Sequence, residues 1–89
     1  MKVSELVPTV RLFKDITDST YKCWMKAAKS ILDYDTKDVN PMFVAQYRTR
    51  QLRPVGPVSK ATLLRRLSLL SGIWSTAIQK ELIDGRKYW

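Results

Sequence analysis

Apolar residues along this chain recur at three- and four-residue steps, and no stretch alternates in the two-residue period of a strand. The longest such stretch runs from Ser59 to Ile83. In it Leu63, Leu67, Leu70, Trp74, Ala77 and Ile78 fall on one side of a helical wheel. At about 100° per residue, Thr62, Arg65, Thr76 and Lys80 point the other way, and Arg66 lies on the flank of the apolar stripe. Ser59 is placed to cap this helix, its hydroxyl taking an orphan backbone N–H, and Pro57 stands upstream where it cannot break the ladder. Gly85 is placed to close it in a left-handed cap. A break near Gly72 would turn this one helix into two.

Three shorter helices are predicted ahead of it. The first spans Ser4 to Lys14, capped by Ser4, with Leu6, Val7, Val10 and Phe13 on its apolar side; Pro8 disturbs its beginning. After a polar turn from Asp15 to Thr20, where Asp18 or Ser19 can cap, the second spans Thr20 to Tyr34. Tyr21, Trp24, Ala28, Ile31 and Leu32 share its inner face. An acidic connection from Asp33 to Asn40 leads to the third helix, Pro41 to Leu52, with Asn40 as cap and proline in the first turn. Phe43, Val44 and Tyr47 turn inward there. Arg53 to Val58, with Pro54, Gly56 and Pro57, reads as a loop. The expected fold is an all-α single domain over residues 1–89, a bundle of four helices, or five if the long one breaks.

Charge adds the next layer. Sixteen Lys and Arg stand against eight Asp and Glu, a net charge of +8. No acidic residue lies between Asp38 and Glu81, an interval that holds Arg48, Arg50, Arg53, Lys60, Arg65, Arg66 and Lys80. A stretch of one sign makes a field that attracts polyanions, of which nucleic acid is the commonest. Lys22, Lys26 and Lys29 stack on the outer side of the second helix at helical spacing. Most exposed lysines face only solvent, but like charges this close repel until an anion relieves them. Arg50 and Arg53 have a plainer use, because cations suit a helix C-terminus. Lys60 opposes the dipole of the helix that it opens, a poor placement unless it meets an anion.

Several function classes fall away. The chain has no His, the usual general base near neutral pH, and a single Cys, so neither a zinc cluster nor an internal disulfide is expected. Cys23 reads as a small core residue. No Gly-rich phosphate loop occurs, and no base stands beside any Ser or Thr. No cofactor is expected. Met1-Lys2 opens no signal peptide, and Leu67 to Gln79 is too short and too polar to span a bilayer, so a cytoplasmic location without membrane contact is the expectation. The residues describe a binding module and not an enzyme.

The run Ser59-Lys60-Ala61-Thr62-Leu63-Leu64-Arg65-Arg66-Leu67-Ser68-Leu69-Leu70, then Trp74, Ala77 and Leu82-Ile83, resembles the last helix of the core-binding, SAM-like domain of phage integrases and other tyrosine recombinases. Asp38-Val39-Asn40-Pro41 and the helix through Arg48 and Arg50 are similar to that family's penultimate helix. The end departs from the family: Asp84-Gly85-Arg86-Lys87-Tyr88-Trp89 stands where members commonly carry Asn-Pro. The resemblance implies a domain that grips double-stranded DNA at a recombination core site, its second and fourth helices facing the duplex. It also implies a separate catalytic domain, outside this sequence, and other recombinase protomers on the same DNA.

Together the two readings name Lys22, Lys26, Lys29, Ser59, Lys60, Thr62, Arg65 and Arg66 as DNA-binding residues. The six cations neutralise phosphate, Ser59 and Thr62 add hydroxyl contacts, and Arg65 is the candidate for a base contact. The alternative from another class is a helical protein-interaction module that docks an acidic partner.

Overall fold

The computed structural model describes residues Met1–Trp89. Four α-helices and no strand make up the chain: α1 (Val3–Arg11), α2 (Asp18–Ala28), α3 (Pro41–Gln51) and α4 (Lys60–Gln79). Short 3-10 turns at Lys29–Ile31 and Thr36–Asp38 follow α2. The long helix α4 packs most extensively against α2 and next against α1. One apolar cluster holds them together. Leu6, Val7 and Val10 come from α1, Trp24 and Ala28 from α2, Val44 and Tyr47 from α3, and Leu63, Leu70, Trp74 and Ala77 from α4, all buried as the periodicity requires. Val3, Ala27 and Ile73 join them from positions beside the predicted stripes. At 2% exposure, Trp74 is the largest fully buried side chain.

Two helix starts follow sequence rules. Asn40 Oδ1 accepts from the Phe43 N–H at 2.9 Å, with Pro41 in the first turn, and Ser59 Oγ accepts from the Thr62 N–H at 3.4 Å. The other two starts differ from expectation. α1 begins at Val3, not Ser4, and has no side-chain cap. Its first free donors, the N–H groups of Val3 and Ser4, are taken instead by the carbonyls of Tyr34 and Leu32 at 2.9 and 3.0 Å. Pro8 sits inside the helix without ending it. α2 begins earlier than expected and is capped by Thr17, whose Oγ1 accepts from the Thr20 N–H. The Asp18 carboxylate is engaged elsewhere, in an ion pair with Arg11.

Three helices also end earlier than their periodicity predicts. α2 tightens into a 3-10 turn after Ala28 and does not reach Tyr34 as an α-helix. α1 stops at Arg11, which leaves Phe13 outside the core at 49% exposure, its ring beneath the Lys80 ammonium at 5.8 Å. α4 runs unbroken through Gly72 and stops at Gln79, before Ile83. Its closing residue is Glu81 and not Gly85. Glu81 has φ 58°, the Leu82 N–H reaches the Ala77 carbonyl at 2.9 Å, and the Glu81 N–H reaches that of Ile78 at 3.1 Å. That pair of bonds is a Schellman closure, here built on a non-glycine residue. Thr76, expected on the outer side, is 6% exposed. Because α4 packs against α1 as well as α2, its buried arc is wider than one apolar stripe.

The loop between α3 and α4 folds back on the end of α3. The Val58 N–H donates to the Gln51 carbonyl at 3.0 Å, and the Arg53 N–H to the Val58 carbonyl at 2.9 Å. Gly56 passes so close to α3 that a Cβ there would lie 1.9 Å from the Arg50 carbonyl oxygen. Only glycine fits. Arg53 Nε donates to the Pro57 carbonyl at 3.1 Å, so this arginine fastens the loop, a different duty from the helix-end role expected of it.

Candidate nucleic-acid interface

The packing of α2 on α4 decides which cations meet. Lys26 from α2 and Thr62, Arg65 and Arg66 from α4 line one shallow groove. Lys26 and Lys29, with Ser30, Gln51, Pro57 and Arg66, line a second that contains no hydrophobic residue. The two grooves share Lys26 and Arg66, so they form one continuous wall. Five of the eight residues expected from sequence, Lys26, Lys29, Thr62, Arg65 and Arg66, therefore stand together.

The remaining three lie in neither groove. Lys22 is exposed one turn before Lys26 on α2. Lys60 is exposed at the first residue of α4, about 140° around that helix from Arg65. Ser59 is spent on the cap: its hydroxyl accepts the Thr62 N–H and also bonds Thr62 Oγ1 at 3.3 Å. Cys23, read from sequence as a core residue, is half-buried on the rim of the groove beside Arg65.

No carboxylate lines either groove. The two ion pairs in the chain, Arg11 with Asp18 and the Met1 ammonium with Asp35, involve none of the wall cations. Asp35 also accepts from the Lys37 N–H at 3.0 Å, and that bond, helped by the ammonium, holds its carboxyl below the ordinary carboxylate range. Asp35 thus serves the backbone and the terminus, Asp18 serves Arg11, and neither offsets the wall.

One wall cation is held in position. Arg66 Nη1 donates to Gln51 Oε1 at 2.6 Å, and Gln51 Nε2 donates to Ser30 Oγ at 3.3 Å. This relay ties α4 to α3 and α3 to the turn after α2. Behind it Tyr47 is buried, its hydroxyl donating to the Ala27 carbonyl at 2.7 Å. Burial pushes the phenol up to about 12, although the nearby Arg66 charge pulls the other way. Gln51 and Ser30 carry no sequence signal for this role, because their partners are 15 and 21 residues away.

The arrangement offers an anion fixed and mobile donors on one surface. Arg66 is pre-oriented, while Lys26, Lys29 and Arg65 are free to move. A guanidinium held by a neutral amide keeps its full charge and its remaining N–H donors for a phosphate oxygen. Compared with known protein families, curated proteins and solved structures, the chain matches none. No helix is long and apolar enough to cross a membrane.

Proposed function

We propose that this chain binds double-stranded DNA through the wall between α2 and α4, as the core-binding arm of a site-specific tyrosine recombinase. The observation that carries the reading is the meeting of Lys26 and Lys29 with Arg65 and Arg66 in two joined grooves without a carboxylate. Cations from two rods on one wall match the repeating phosphates of a duplex backbone. Arg66 on its Gln51 support sets the register, the lysines neutralise neighbouring phosphates, and Arg65, with no intramolecular bond of its own, is the group available to a base edge. The arm itself breaks no strand. Catalysis belongs to a separate domain of the full-length recombinase, and other protomers occupy the same DNA site.

Titration of a duplex at several salt concentrations tests this. Four wall cations give a slope of log K against log salt of about −4, and recruitment of Lys22 and Lys60 moves it to about −5. Affinity that does not change with salt would overturn the reading. A poly-glutamate peptide that binds as tightly as the duplex at equal ionic strength would favour an acidic protein partner instead.

A further inference from the structure

Next to the cationic wall lies a cavity of about 120 Å³ between α3 and the turn that follows α2. Its sides are aromatic: Tyr34, Phe43 and Tyr47 line it, with the Tyr34 and Phe43 rings edge to face at 5.0 Å. Tyr34 is 42% exposed, which leaves ring surface open at the mouth. Gln46 and Arg50 stand on the rim one turn apart on α3, both exposed and neither side chain holding a hydrogen bond within the chain. Ser30 and Gln51 line this cavity and the second cationic groove alike. An aromatic slot with a free amide and a free guanidinium thus opens directly onto Lys26, Lys29 and Arg66.

We infer that this cavity receives one unpaired nucleobase whose phosphate rests in the adjoining groove. The chemistry fits each part of a nucleotide. Aromatic faces stack planar bases without regard to sequence. A primary amide presents one donor and one acceptor side by side, which pair with a base edge, and a guanidinium stacks or bonds to a carbonyl of the ring. The cavity admits a single ring system and nothing the size of a base pair. The inference rests on the reading of the wall as a nucleic-acid surface, and it adds a structural preference: a duplex with a bulged or frayed base over a fully paired one.

The test compares two duplexes of the same sequence, one fully paired and one carrying a single bulged 2-aminopurine, with adenosine monophosphate as a third probe. The bulged duplex is expected to bind about tenfold tighter, the worth of one stacked base. The emission of its 2-aminopurine should change on binding. In Tyr34→Ala and in Gln46→Ala the ratio of the two affinities should fall toward one. Equal affinities for the two duplexes in the unaltered protein would overturn the inference and leave the duplex reading standing. Binding of the bulged duplex alone would overturn the duplex reading and keep the inference, and failure of both duplexes to bind would sink the two together. Adenosine monophosphate bound as tightly as the bulged duplex would show that the cavity serves a free nucleotide, against the inference as stated.

Discussion

The side of the molecule around α1 and the wall between α2 and α4 treat charge in opposite ways. Near α1 the polar groups close on one another: Arg11 pairs with Asp18, the Met1 ammonium with Asp35, and the first N–H groups of α1 with carbonyls from the segment after α2. On the wall, Lys26, Lys29 and Arg65 have no partner in the chain, and Arg66 has only a neutral one. Groups of the first kind hold the fold. Apart from Arg66, whose bond to Gln51 links α4 to α3, those of the second kind add nothing to it, since like charges on one surface repel. In the proposed reading these are the groups that meet the duplex phosphates.

The difference can be attacked through substitutions and pH, beginning with the largest expected effect. Gly56→Ala should lower stability by about 2–4 kcal/mol in urea unfolding, because the added methyl meets backbone that cannot retreat. A neutral result would mean that the loop beneath the wall is not fixed as described. Tyr47 comes next. Above its ordinary value of 10.0 the unfolded phenol ionises, while the folded one stays neutral up to about 12. The unfolded state then holds fewer protons, so stability falls as pH rises through that window, by about 2–3 kcal/mol in all. Below pH 10 this contribution is fully present. Tyr47→Phe should lack the extra alkaline loss, as urea titrations at pH 9 and about 11.5 would reveal.

A smaller effect is expected at the end of α4. Glu81→Gly should raise stability by about 1 kcal/mol, because glycine enters the left-handed region without steric cost. A lower melting temperature would mean that the glutamate side chain is needed there. Smallest of all are the wall variants. Lys26→Ala and Arg65→Ala should each change stability by less than about 0.5 kcal/mol while weakening duplex binding. The lysine change should act on all sequences alike, and the arginine change should also blunt discrimination between them. A large stability loss in either would place that cation with the fold-holding groups and erase the contrast between the two regions.

Much of the fold was legible because local rules decided it. Asn40-Pro41 and Ser59 start their helices as residues of their kind do, and the three- and four-residue spacing picked out Trp24, Tyr47, Leu70 and Trp74. The misplaced boundaries lie where distant groups took over. Ser4 is not a cap because Leu32 and Tyr34 supply the acceptors, and Asp18 is not a cap because Arg11 holds it. Glu81 closes α4 ahead of Gly85 through a conformation that its residue type disfavours. At the wall, spacing on α2 and α4 found the cations but not which of them meet. Lys60 follows the same helix as Arg65 yet lies on another side, and the Gln51 relay exists only after three elements have come together. The cavity did leave a trace: Phe43, Gln46, Tyr47 and Arg50 fall at helical spacing on one face of α3, aromatic and polar in turn.

The unusual start of α1 has one more consequence. The amide hydrogens of Val3, Ser4 and Thr36 are bonded across the same seam, to Tyr34, Leu32 and Met1 in turn. None of the three can exchange with solvent deuterium until that seam parts, so a single opening event should give all of them a common protection factor. Spectroscopically they would behave as one zipper tooth, although the chain separates the first from the last by the whole of α1 and α2.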